Sequence, residues 1–141
     1  MLETRCIVFL PLRGKGLLLS LTLSCAAGLA IIKIRRHRVV GDSMAPTLRD
    51  GDRIIVTRSR RIGHGDVVVL EDPRLGGLPG RIMVKRLVSI EGEMAWVEGD
   101  NREFSTDSRT FGAIPVRSIR GRAIYRYSPS HSAGRLRSHR I

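Results

Sequence analysis

The sequence predicts a mainly β domain carried behind an N-terminal membrane-spanning helix, and three observations carry that prediction. After Val39 the apolar residues come in short β-branched runs separated by glycine-containing turns; Arg-Ile-Ile-Val-Thr (residues 53–57) and Asp-Val-Val-Val-Leu (residues 66–70) are the clearest. No stretch beyond Val39 sustains the 3.6-residue apolar period of a helix. Before it, residues 16–32 contain no charged side chain.

Taken in order, residues 1–15 form a basic N-terminal segment ending on Arg13 and Lys15. Residues 16–34 are expected to span a bilayer as a helix, at the short end of the roughly 17–25 residues required. Lys33, Arg35, Arg36 and Arg38 follow, and their long stems can reach back to the interface. A cleaved signal peptide ending in the small residues 26–30 is the rival reading, but the basic flank resembles a stop-transfer signal. The excess of positive charge on the C-terminal side favours a cytoplasmic domain by the positive-inside rule.

The globular domain is expected over residues 39–127. Gly-Asp pairs at 51–52 and 65–66 bound the first two strands, and residues 58–61 make a charged connection between them. Residues 71–80, with Pro73, Gly76, Gly77, Pro79 and Gly80, predict a flexible loop. Further strands are expected at 81–90, 94–98 and 123–127. The tail, 128–141, is rich in Ser, Arg and His and is expected to be disordered.

Composition narrows the function. The chain has 141 residues, 42% hydrophobic but only 4% aromatic, so one small core of Val, Ile and Leu is expected. Its 25 Lys and Arg against 13 Asp and Glu give a net charge of +12, which favours anionic partners. A nucleic-acid-binding module fits poorly, because the arginines are dispersed and aromatics for base stacking are scarce. The two cysteines, Cys6 and Cys25, precede the globular domain, and no Cys/His set has metal-ligand spacing. No metal or other cofactor is expected.

Chemistry-bearing residues gather around Ser43. It follows a Gly-Asp turn pair, and Pro46 keeps Ala45 extended or in a turn, so no helix begins there. Lys85 lies in the apolar run Arg-Ile-Met-Val-Lys-Arg-Leu-Val (residues 81–88). On a strand Met83, Lys85 and Leu87 share one face and Val84, Arg86 and Val88 the other. If that first face is buried, loss of hydration disfavours the ammonium. Acting as a base near neutrality requires a downward shift of roughly three pKa units, about 4 kcal/mol. If it is exposed, Lys85 is only an edge lysine. A polar stretch at 99–112 adds Asp107 and Arg109, placed to pair along an extended segment.

With these residues in view, the chain resembles the type I signal peptidase family of Ser–Lys endopeptidases. The match runs through Ser-Met-Ala-Pro-Thr (43–47), Gly-Asp-Val-Val-Val (65–69), Val-Lys-Arg-Leu-Val (84–88), Gly-Asp-Asn-Arg (99–102) and Ser-Thr-Asp-Ser-Arg (105–109). The resemblance implies a compact signal-peptidase-like catalytic β core with Ser43 as nucleophile and Lys85 as general base. Ser105 would orient the lysine, Asp107 and Arg109 would brace the site, and Met44 and Pro46 belong to the nucleophile box. Gly41 stands where some bacterial members carry a hydroxyl that assists the oxyanion hole. Implied substrates are precursor proteins with cleavable N-terminal leaders, with small residues before the scissile bond. The implied location is a membrane, with the catalytic domain across it from the cytoplasm.

The short stretch between Leu70 and Lys85 leaves no room for the large second β domain of typical bacterial enzymes. In size the chain is similar to the organellar inner-membrane peptidases and to small proteases that mature nickel-type superoxide dismutase. That dedicated maturation role is the alternative within this class. A self-cleaving repressor-type module shares Ser–Lys chemistry but would need a DNA-binding domain where this chain has an apolar segment.

Overall fold

The computed structural model describes residues 34–58, 61–75 and 81–138. The anchor expected at 16–34 lies outside the described residues except for Ile34, which begins a strand instead. Among the described residues no helix is long and apolar enough to cross a membrane.

One antiparallel sheet organises the domain. Its strands are β1 (Ile34–Arg38), β2 (Arg53–Thr57), β3 (Val67–Glu71), β4 (Ile82–Glu91), β5 (Met94–Glu98), β6 (Ile114–Pro115), β7 (Ile119–Ser128) and β8 (Gly134–Arg135). The order is β1-β2-β7-β3-β4-β5-β6, with β8 paired to β7. The only α-helix among the described residues is a single turn, α1 (Ser108–Phe111). A mainly β core was therefore legible in the sequence. The last strand runs longer than expected, from Ile119, and β1 was missed because its basic residues read as a membrane flank. In β1, Arg36 instead stands 5.9 Å from the Tyr127 ring centroid, within cation–π range.

Strand β3 sits at the centre and is buried on both faces, as its unbroken Val-Val-Val-Leu run suggests. Val67 and Val69 join Val39, Met44, Leu48, Ile54, Val56 and Ala123 in one apolar cluster. Val68 and Leu70 join Leu87, Ala95, Val97 and Ile114 in a second. Strand alternation thus gives each face of β3 its own core. The β3–β4 register sets Lys85 opposite Val68 and Arg86 opposite Val67, so these two basic neighbours face different clusters.

The tail corrects the sequence expectation. Residues 128–138 are structured: β8 pairs with Tyr125 and Arg126, and Leu136 packs against the first cluster. Ser138 Oγ donates to Asp66 Oδ1 at 2.6 Å, and Arg126 Nε donates to the Ser132 carbonyl at 2.6 Å. Low apolar content misled the reading because one leucine and a few side-chain bonds suffice to seat a short return segment. Similarly, the expected loop at 71–80 begins with a 3₁₀ turn, Pro73–Leu75, held by a bidentate Arg74–Asp72 pair.

Removing residues 129–141 should therefore destabilise the domain by on the order of 2–4 kcal/mol, the scale of a partly buried leucine and several hydrogen bonds. Chemical denaturation of the truncated and full chains would measure it. An unchanged midpoint would mean that the tail contributes nothing to the fold.

Candidate active site

Ser43 lies in a turn that is fastened at both ends. Ala45 N–H donates to the Asp42 carbonyl at 3.0 Å and Leu48 N–H to that of Met44 at 2.8 Å, while Gly51 N–H and Val39 N–H close the loop onto Val39 and Asp52. Gly41 has φ +80°, a left-handed conformation that a side chain at this position would strain, and its N–H donates to Asp50 Oδ1 at 2.8 Å. Glycine here serves the turn and can contribute no hydroxyl. Met44, fully buried beside the serine, anchors the turn in the first cluster. Pro46 is exposed and lines a cavity beyond the turn rather than the cleft that holds Ser43.

Lys85 comes from the middle of β4 and is only 2% exposed. Of its two sequence readings, the buried one holds. It shares with Ser43 a cleft of about 480 Å³, walled by His37 and Val40 on one side and Ile82 and Met83 on the other, with the exposed Phe104 at its rim. Loss of hydration pushes the Lys85 ammonium below its ordinary pKa; Asp107 opposes that shift and Arg109 reinforces it.

The polar stretch at 99–112 supplies the lysine's setting. Lys85 Nζ donates to Ser105 Oγ at 3.0 Å, and Ser105 Oγ donates in turn to Asp107 Oδ2 at 2.6 Å. Because the Ser105 proton is committed to the carboxylate, this hydroxyl accepts from the lysine and leaves the neutral amine's lone pair available. Asp107 is fully buried and caps α1 by accepting the Arg109 N–H. Arg109 grips the same carboxylate through Nε at 2.9 Å and a terminal nitrogen at 2.6 Å. Burial alone would raise the Asp107 pKa. The bonds from Arg109, Gly99 and Ser105 outweigh it and hold the carboxyl well below its usual range. Asp107 and Arg109 do pair as expected, though around a helix cap rather than along an extended segment.

Among the described residues, no carboxylate forms a salt bridge with Lys85, and Asp107 is separated from it by a hydroxyl. Arg109 engages Asp107 and so weakens its pull on the ammonium. The expected brace of Asp107 and Arg109 would therefore act electrostatically as well as mechanically. No group of His, Cys, Asp and Glu among the described residues is arranged to hold a metal ion.

Two features escaped the sequence reading. Gly99 threads between the halves of the site: its N–H donates to Asp107 Oδ2 at 2.9 Å, and a Cβ there would fall 2.2 Å from Ser105 Oγ and 2.5 Å from the Ser43 carbonyl oxygen. Its motif, Gly-Asp-Asn-Arg (99–102), carries part of the family resemblance, but the close packing between two loops is not readable from it. Arg86 is buried and binds Asp100 through two 2.6 Å contacts, the Gly65 carbonyl at 2.7 Å and Thr47 Oγ1 at 3.2 Å. One guanidinium thus joins the Ser43 turn, the turn before β3 and the loop after β5. A second arginine-like charge inside the apolar β4 run, with Asp100 beside Gly99, was the available signal.

The Peptidase S24-like family matches residues 34–122. The mitochondrial ATP-independent inner membrane protease subunit 1a of Arabidopsis thaliana is 36% identical over 131 residues, covering 74% of this chain and 76% of the relative. Human mitochondrial inner membrane protease subunit 1 is 31% identical over 122 residues, covering 70% and 72%. A probable signal peptidase I-1 of Synechocystis is 27% identical over 145 residues, covering 71% and 74%.

Gly99→Ala should displace Ser105 from Lys85 and disturb the Ser43 turn, because the added methyl cannot fit between them. Peptidase activity is expected to fall by at least about 100-fold, the scale on which small misplacements act. Retention of full activity in a steady-state assay would refute this close packing.

Proposed function

The chain belongs to the S24-like and signal peptidase I family of serine peptidases, and from that premise we propose that it removes N-terminal leader segments from precursor proteins with Ser43 as nucleophile and Lys85 as general base. The observation that carries the reading is a buried lysine, without a direct carboxylate partner among the described residues, opening onto the same cleft as a serine on a braced turn. Neutral Lys85 takes the Ser43 proton as Oγ attacks the scissile carbonyl. It then delivers that proton to the departing amine. A water, deprotonated by the same lysine, hydrolyses the acyl-serine and regenerates the hydroxyl. Ser43 N–H donates to no group among the described residues, and it is the chain's own donor for the developing oxyanion.

The cleft favours an extended peptide lying between the β1 end and the first half of β4, where backbone groups can pair with it as an added strand. Small residues before the scissile bond are the expected specificity, as the family resemblance implies. The mitochondrial relatives are named as inner membrane proteases. In keeping with them, the uncharged run at 16–32 is the segment proposed to anchor the chain, with the catalytic domain on the side away from the cytoplasm.

Ser43→Ala and Lys85→Ala should each abolish cleavage of a leader peptide. Lys85→Arg is the discriminating variant: it keeps a charge, but arginine does not deprotonate, so it should be as inactive as alanine. Substantial turnover with arginine at this position would remove Lys85 as the base.

The pH profile gives an independent test. The base form exists above the lysine's pKa, so kcat/KM should rise with pH through a value lower than that of a free lysine. Arg109→Gln releases Asp107 to favour the ammonium, raising that pKa. The rising limb should move to higher pH while activity at the alkaline plateau largely returns. A uniform loss without displacement of the limb would limit Arg109 to a structural role.

A further inference from the structure

We propose that the arginine-lined cavity on the face of β4 opposite Lys85 binds a phosphate-bearing anion. This cavity, about 660 Å³, is lined by Arg86, Arg102, Arg109, Arg126, Arg135 and Arg137, with Glu98 and Asp100 as its acidic groups. Its volume suits a small ligand or a headgroup.

The six arginines divide into two sets. Arg86 is committed to Asp100, Arg109 to Asp107, and Arg126 to Asp52 and the Thr47 carbonyl. These hold the walls. Arg102, Arg135 and Arg137 are exposed and form no ion pair among the described residues. Glu98 accepts a hydrogen bond from Trp96 Nε1 at 2.9 Å. The cavity therefore carries surplus positive charge on permanently ionised forks, whose paired N–H groups match phosphate oxygens.

Position is fixed as well as charge. Arg135 lies in β8, paired opposite Tyr125, and both Arg135 and Arg137 flank Leu136, which is packed against the first apolar cluster. The tail is thus folded so as to bring two arginines to one concavity. Val88 and Leu136 add apolar lining, and no aromatic ring does. That composition disfavours a stacked nucleobase and favours a compact phosphate group. The phosphate can belong to a soluble ion or to a lipid headgroup.

The test uses the full chain in neutral detergent, titrated calorimetrically with inorganic pyrophosphate. In parallel, its binding to phosphatidylcholine vesicles is compared with and without phosphatidylglycerol. Saturable pyrophosphate binding, or excess affinity for the anionic vesicles, is expected; the first alone identifies a soluble ligand and the second alone a headgroup. The combined variant Arg102→Gln, Arg135→Gln and Arg137→Gln should weaken that binding at least about tenfold, the order expected for losing charge-assisted bonds. A control variant, Arg53→Gln, Arg58→Gln and Arg117→Gln, loses equal charge outside the cavity and should change it less than about threefold. Arg137→Gln alone should weaken binding in the same direction while leaving the β8 pairing intact. Unaltered leader cleavage in the cavity variants would show an intact catalytic core and separates this test from that of the dyad. Equal weakening by both triple variants, tighter binding of a hexaglutamate peptide than of pyrophosphate, or no saturable binding in either arm would overturn the proposal.

Discussion

Burial of Lys85 without a contacting carboxylate among the described residues is the constraint on which the rest of the site depends. An ammonium removed from water must be compensated, and a direct ion pair would do so by keeping it charged. This chain offers a hydroxyl instead. Ser105 fixes the lysine's direction, Asp107 consumes the Ser105 proton, and Arg109 neutralises Asp107 from behind. Each partner in the series is chosen to leave the next one correctly protonated. Remove the outermost arginine and the innermost lysine feels an unshielded carboxylate.

That series also explains why parts of the molecule were legible in sequence and others were not. Asp107 and Arg109 are two residues apart, so their pairing was readable from local spacing, whereas Ser43 and Lys85 stood out only by their separate local settings and Ser105 entered through the family resemblance. The β-branched runs of β2 and β3 were equally clear, since alternation and turn residues are local properties. Contacts between distant segments left a weaker trace. Gly99 and Ser105 are close in sequence, but the need for glycine comes from Ser105 on one side and the Ser43 carbonyl, which belongs to another loop, on the other. Arg86 had been placed on the correct face of its strand, yet nothing local revealed that Thr47, Gly65 and Asp100 would converge on it.

Composition misled at the two ends of the domain for a common reason. The basic residues of β1 read as a membrane flank and those of the tail as a disordered segment, because neither carries the apolar pattern of an independent strand. Both segments are instead recruited by neighbours already in place: β1 by β2, and β8 by β7. An edge strand on a formed sheet needs mainly backbone pairing, so side-chain content predicts it poorly.

Lys85 and Arg86 bring these points together. They are adjacent, both cationic and both buried, but strand alternation sends one into the cleft and the other into the scaffold. A slip of one residue in β4 would exchange them. The cleft would then hold a guanidinium, which does not deprotonate and so could not serve as the proposed base, and the scaffold would lose its forked donor for a single ammonium. Under the proposed Ser43–Lys85 chemistry, the register of β4 is therefore as much a requirement as the identity of the lysine. The two 2.6 Å bonds from Arg86 to Asp100, with those to Gly65 and Thr47, oppose such a slip because no other residue of β4 has a fork to satisfy all three. The scaffold arginine thus holds its neighbour Lys85 in the cleft without lining the cleft itself.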